Sequence, residues 1–144
     1  MRVLIADPFL KDARRALAPG GLIAMQSGSP ISQPREWLAT VAAVKRTFSI
    51  VRPYLGYVPI YPAMLWSWVI GSDEIDPISI DEVSTRTRLD KMRSELRIYN
   101  TGVHRAAFAL PTFVQTLLQL TERDQPPTLA ELRAAGHPLP GVVA

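Results

Sequence analysis

Cysteine is absent from the sequence, which excludes disulfides, thiolate metal sites and cysteine nucleophiles. Histidine occurs only as His104 and His137, and two lone histidines so far apart argue against a metal centre. No apolar run approaches the roughly 20 residues needed to cross a bilayer. The start, Met1-Arg2-Val3-Leu4-Ile5-Ala6-Asp7, turns acidic too soon for a signal peptide, so a cytosolic (cytoplasmic) setting is the default expectation. There is no glycine-rich phosphate loop near the start, no paired-aspartate motif and no internal repeat. A basic run interleaved with aromatics is also missing, which counts against single-stranded nucleic acid as a partner.

What is present suits one domain of ordinary size. An apolar share of 47% with 20% charged residues in 144 can bury a core. The net charge of +3 has its excess in residues 1–60, where eight Lys/Arg face three acids. Those cations are spread over predicted helix surfaces and read as solvated faces, not as a nucleic-acid patch. Thirteen prolines cut the chain into short elements.

Asp7-Pro8 reads as a helix cap followed by proline at the first helical position, with the carboxylate beside the positive end of the dipole. Phe9, Leu10, Ala13 and Leu17 recur at helical spacing, and Pro19-Gly20-Gly21 stops the helix. Leu22-Ile23-Ala24-Met25 is a continuous apolar run suited to a strand buried on both faces. It ends in the turn formers Gln26-Ser27-Gly28-Ser29-Pro30, the end of an α/β unit where ligands gather. A second helix is predicted from Pro34 to Phe48, with Trp37, Leu38, Val41, Val44 and Phe48 on one stripe.

Residues 50–61 and 65–70 read as two antiparallel strands joined at Tyr61-Pro62-Ala63-Met64. Pro53 and Pro59 mark the first as an edge or bulged strand. Residues 72–97 read as a loop and a surface helix, and another helix should follow Pro111. Residues 1–122 are taken as one partial domain and 123–144 as a Pro-rich tail. In the tail, Thr128 and Glu131 have capping-box spacing and Gly136 could close a short helix.

Four stretches in order resemble the spermidine synthase (polyamine aminopropyltransferase) family, C-terminal half only. They are residues 9–21 with Gln26-Ser27, residues 48–54, Val58-Pro59-Ile60-Tyr61-Pro62 with Leu65-Trp66-Ser67, and Tyr99-Asn100 with residues 103–111. The third and fourth at this separation are the specific part. The resemblance implies α/β architecture: the C-terminal part of a methyltransferase-like Rossmann domain, about three strands with the last two an antiparallel hairpin, and flanking helices.

By that resemblance the chemistry is transfer of an aminopropyl group from decarboxylated S-adenosylmethionine to putrescine in spermidine biosynthesis. The family's nucleoside-binding loop and its catalytic aspartate find no match here, so no catalytic residue is assigned. The chain is expected to bind no cofactor alone and to be inactive alone. Asp7 is not read as that aspartate, because it starts the helix that follows the catalytic loop.

The resemblance carries three positions onto the polyamine side. Gln26 could accept a hydrogen bond from an amine, or could simply bond to backbone. Tyr61 could offer a phenol and a ring to the substrate, or could be a buried strand-end residue. Trp66 could wall the pocket through a cation–π contact, or could be core. Gly28 replaces a glutamate common in bacterial relatives, and Ala63-Met64 stands where Ser-Gly usually follows Tyr-Pro. Both departures bear on whether putrescine is the acceptor.

His104 is expected to bond structurally within residues 99–111, and His137 to be solvated. The partner expected is a polyamine such as putrescine, bound weakly or together with a complementing N-terminal half. Homo-oligomerisation or dependence on a partner is expected, with no nucleic acid and no membrane. The alternative is a non-catalytic polyamine-binding or oligomerisation module.

Overall fold

Local signals set most element boundaries in the computed structural model, which describes residues 7–61, 65–92, 96–122 and 127–138. Helix α1 (Asp7–Ala16) carries Asp7 in its first turn and Arg14 and Arg15 in its last, both favourable to the dipole. Leu10 is its fully buried residue. Strand β1 is Leu22–Gly28. Helix α2 (Pro34–Lys45) starts on proline and ends before the predicted Phe48, because the Thr47 and Phe48 amides both turn back to the Val44 carbonyl. Strands β2 (Ile50–Tyr57) and β3 (Leu65–Ser72) follow. The predicted turn at residues 62–64 lies outside the described residues.

Helix α3 (Glu82–Asp90) is capped by Asp81, whose carboxylate accepts from the Ser84 amide at 2.8 Å. Helix α4 (Thr101–Phe108) was not foreseen from the sequence. Its signal is Asn100, whose side chain caps the Val103 amide at 2.9 Å. Helix α5 (Thr112–Leu118) follows Pro111 as expected, and α6 (Leu129–Ala134) carries the capping box of Thr128 and Glu131.

The sheet order is β1-β3-β2, with β3 antiparallel to both neighbours. The predicted antiparallel pair of final strands is therefore present, and proline-bearing β2 lies at an edge. Directly paired residues share a sheet face. Ile23, Met25, Val69 and Gly71 face α2, where a Cβ on Gly71 would stand 2.6 Å from the Phe48 ring. This side holds the core, with Leu10, Trp37, Val41, Val69, Leu117 and Leu132 at its centre.

The other face is unequally covered. α4 lies over β2, with the Phe108 ring 5.5 Å from that of Tyr54. Over β1, Leu22 is 40% exposed and Ala24 and Gln26 are also exposed. The expectation that β1 is buried on both faces is thus corrected: its apolar run is covered only on the α2 side. Apolar composition reports what a strand can bury, and the neighbouring layer decides what it does bury.

Four carboxylates tie the surface together. Arg46 beside Asp7, Arg14 and the Ser49 amide beside Asp73, Arg52 and the Ile78 amide beside Asp76, and Ser84 beside Asp81 hold each acid below its ordinary range. A carboxyl whose value is depressed by folding contributes stability above its unfolded value, near ~3.9, and loses it as pH falls through the folded value. The urea midpoint is expected to be flat from about pH 7 to about pH 5 and to fall below about pH 4. Asp76→Asn should flatten part of that fall, which urea titrations across the pH series would show.

Candidate functional site

The register of β1 on β3 assembles one side of the sheet around the aromatic residues. Gln26 pairs directly with Trp68, and Tyr54 of β2 pairs with Trp68 from the other side. Trp66, two residues before Trp68, therefore points to the same face. Tyr61 joins it from beyond β2, its ring centroid 4.4 Å from that of Trp66 and tilted by 52°. The three residues singled out from the sequence thus share one region: Gln26 and Trp66 by register, Tyr61 by ring contact. Gln26 is exposed, Tyr61 half-buried, and Trp66 only 8% exposed with an indole N–H that has no partner among the described residues.

The end of β1 is held by hydroxyls. A bulge separates Gln26 from Gly28, placing Ser27 as the extra residue. The Ser67 hydroxyl donates its one proton to the Gly28 carbonyl at 2.8 Å, so Ser27 donates in the 2.7 Å contact between the two serines. Ser27 and Ser67 are buried, and this pairing fixes the end of β1 just past Gln26.

Trp68 and Tyr54 were not singled out from the sequence, yet they continue the same surface. Their rings stack at 5.5 Å and 17°. The spacing of Trp66 and Trp68, two residues apart on a strand, is the signal that could have found the first. Burial, and after it the nearby Tyr99 phenol, push the Tyr54 phenol above its usual value. Tyr54 is therefore a neutral hydroxyl near neutral pH. Burial raises Tyr99 as well.

His104 bonds as expected within its own segment, and also beyond it. Its Nε2 donates to the Pro77 carbonyl at 3.0 Å, which can only accept, so Nδ1 accepts from the Tyr99 hydroxyl at 2.6 Å. With both nitrogens engaged, it is a brace between α4 and the turn at Pro77–Ser79. A cavity of about 420 Å³ opens beside it, lined by residues that include Ile78, Asp81, Glu82, Arg105 and Phe108. Gln26, Tyr61 and Trp66 do not line that cavity.

Chemically, the face carrying Gln26 offers an amide carbonyl that can accept from an N–H and two π faces that attract a cation. Such a set can hold one end of an alkylamine. No group of three or more His, Asp or Glu side chains able to hold a metal occurs among the described residues. No described helix is long and apolar enough to cross a membrane.

Residues 2–82 match the Spermine/spermidine synthase domain family. A polyamine aminopropyltransferase of Nitrosomonas europaea is 40% identical over 116 residues, covering 80% of this chain and 35% of the relative. That of Caldicellulosiruptor bescii is also 40% identical over 116 residues, covering 81% and 40%. Among solved structures, spermidine synthase from Thermotoga maritima superposes with a TM-score of 0.74 at 32% identity, covering 83% of this chain and 40% of that one. A spermidine synthase in complex with the transition-state analogue AdoDATO gives a TM-score of 0.73 at 33% identity, covering 81% and 39%. The chain therefore spans well under half the length of the relatives it matches.

Proposed function

Because the chain belongs to the spermine/spermidine synthase family, we propose that it forms the amine-binding side of an aminopropyltransferase active site. The observation that carries this reading is the convergence of Gln26, Tyr61 and Trp66 on one sheet face at the carboxyl end of β1. In the reaction, a neutral amine nitrogen of a polyamine such as putrescine attacks the methylene beside the sulfonium of decarboxylated S-adenosylmethionine. A C–N bond forms, the C–S bond breaks with its electron pair going to sulfur, and methylthioadenosine leaves.

The physical difficulty is that a diamine is doubly protonated near neutral pH. One end must be held as a cation while the other gives up a proton and is placed in line. Trp66 and Tyr61 supply rings for the cationic end, and Gln26 supplies a carbonyl that orients an N–H. The proton acceptor and the nucleoside site are assigned to a complementing N-terminal portion, because these 144 residues hold neither the glycine-rich loop nor the aspartate pair. A cytosolic setting suits this chemistry.

The test is release of methylthioadenosine from decarboxylated S-adenosylmethionine and putrescine. The isolated chain is expected to release none above background. Addition of the N-terminal portion of a homologous aminopropyltransferase is expected to give turnover. Turnover by the isolated chain would overturn the division of labour.

A second reading, an assembly module, is favoured by one observation. Among the described residues β1 has no strand on its outer side and its Leu22 is 40% exposed, and such an edge is a template for pairing. Size-exclusion chromatography is expected to show concentration-dependent self-association, reduced by Ala24→Lys. A sharp monomer peak at high concentration would count against it.

A further inference from the structure

The C-terminal segment is tied to the turn that ends β1. α6 has six residues and is closed at both ends. Thr128 and Glu131 exchange bonds at its start, and past Gly136 the His137 amide donates to the Leu132 carbonyl at 3.0 Å. So short a helix persists only by docking. It docks through Leu132, which is 2% exposed and belongs to the main core cluster with Ala135.

Two bonds then fasten this segment to the β1–α2 connection. Arg35 Nε donates to the Pro127 carbonyl at 3.1 Å. His137 Nε2 donates to the Pro30 carbonyl at 2.9 Å, across 107 residues of chain. The imidazole stands edge-on to Phe113 at 5.9 Å. Contrary to expectation, His137 is not solvated: it is 6% exposed, because α6 folds it back beneath the turn. Its Nδ1 is buried without a partner among the described residues, so the ring is committed to the Pro30 bond.

Ser29 and Pro30 are themselves fully buried. The Ser29 hydroxyl accepts from the Ile31 and Ser32 amides, and the Gln33 amide donates to the Ser29 carbonyl at 2.9 Å. The turn after Gln26 is therefore gripped from the sheet by Ser67 and from the far end of the chain by His137.

We propose that residues 127–138 are a strap on the β1–α2 turn, and that His137 is a positioning residue that fixes Gln26 for amine binding by holding Pro30. The statement about Gln26 rests on the amine-binding reading above, whereas the strap does not.

The experiment uses the full chain, with amide hydrogen exchange at residues 31–33 and putrescine and spermidine titrations followed by tryptophan fluorescence. In His137→Ala these amides are expected to exchange about tenfold faster and amine binding to weaken about tenfold. His137→Gln, whose side-chain N–H reaches the same carbonyl, is expected to restore both. A merely structural role would lower the melting temperature in both variants without separating them. Unchanged exchange in His137→Ala, or a glutamine variant no better than alanine, would overturn the proposal. If His137→Ala does not fold, Arg35→Gln, which removes the α2 bond to the Pro127 end of the strap, is expected to raise exchange about threefold, and unchanged exchange there would also overturn it. If the native chain binds neither amine, the amine-binding reading fails, and exchange alone still decides the strap.

Discussion

Replacing Trp37 with alanine is expected to remove about 3–5 kcal/mol of folding free energy. Trp37 has no exposed surface and stands with Val41 and Val44 in the layer between α2 and the sheet. Truncation there loses the transfer free energy of an indole and leaves a cavity in the middle of the packed core. Domains of this size hold about 5–15 kcal/mol in total, so the variant should be partly unfolded at ordinary temperature. Trp37→Phe separates volume from polarity. The indole N–H of Trp37 is buried without a partner among the described residues. Phenylalanine discards that unpaired donor with a smaller loss of volume, and its cost is expected to stay within about 1.5 kcal/mol. Urea unfolding of the three proteins gives both numbers. An alanine variant within about 1 kcal/mol of native would show that Trp37 is not a centre of the core.

Trp66→Ala is expected to abolish most of whatever affinity the chain has for a diamine, by about tenfold or more. In the proposed site the tryptophan is to supply the π face, and it is also the surface on which Tyr61 rests at 4.4 Å, so its removal would loosen two groups at once. Tyr61→Phe, which keeps the ring contact, should lose less, and the two variants together isolate the role of the phenol. Tryptophan fluorescence is compromised when Trp66 is itself replaced, so calorimetric titration with putrescine and spermidine is the measurement of choice. Equal affinity in native and Trp66→Ala protein would move the amine site away from this face.

Much of the architecture was legible because it is written in short-range chemistry. The glycine pair at Gly20 and Gly21 and the spacing of Thr128 and Glu131 act within a turn of chain, and each marks an observed boundary or cap, whereas Asp7, read as a cap, lies within the first turn of α1 with its carboxylate on Arg46. Helix α4 escaped because it is short, carries Gly102 and Val103 in its first turn, and buries none of its residues fully. The exposure of Ala24 and the burial of His137 escaped for a different reason. Each depends on what a distant segment covers, and no periodicity near residue 24 or 137 encodes that.

The site divides the same way. Gln26, Tyr61 and Trp66 were picked out by a resemblance of motifs, but Gln26 and Trp66 share a face through register, and Tyr61 joins them through its ring contact with Trp66. Trp68 and Tyr54 extend that face through a pairing between strands, and only the sheet reveals it.

The placement of β3 between the other two strands also orders events in time. Tyr57 and Leu65 pair across a short connection, whereas Met25 and Val69 must find each other over more than forty residues. Closing the shorter loop costs less chain entropy, so the β2–β3 ribbon is expected to zip first and β1 to join late, after the rate-limiting step. Mutations in β1 should then speed unfolding more than they slow refolding, and the late strand is the one that carries Gln26.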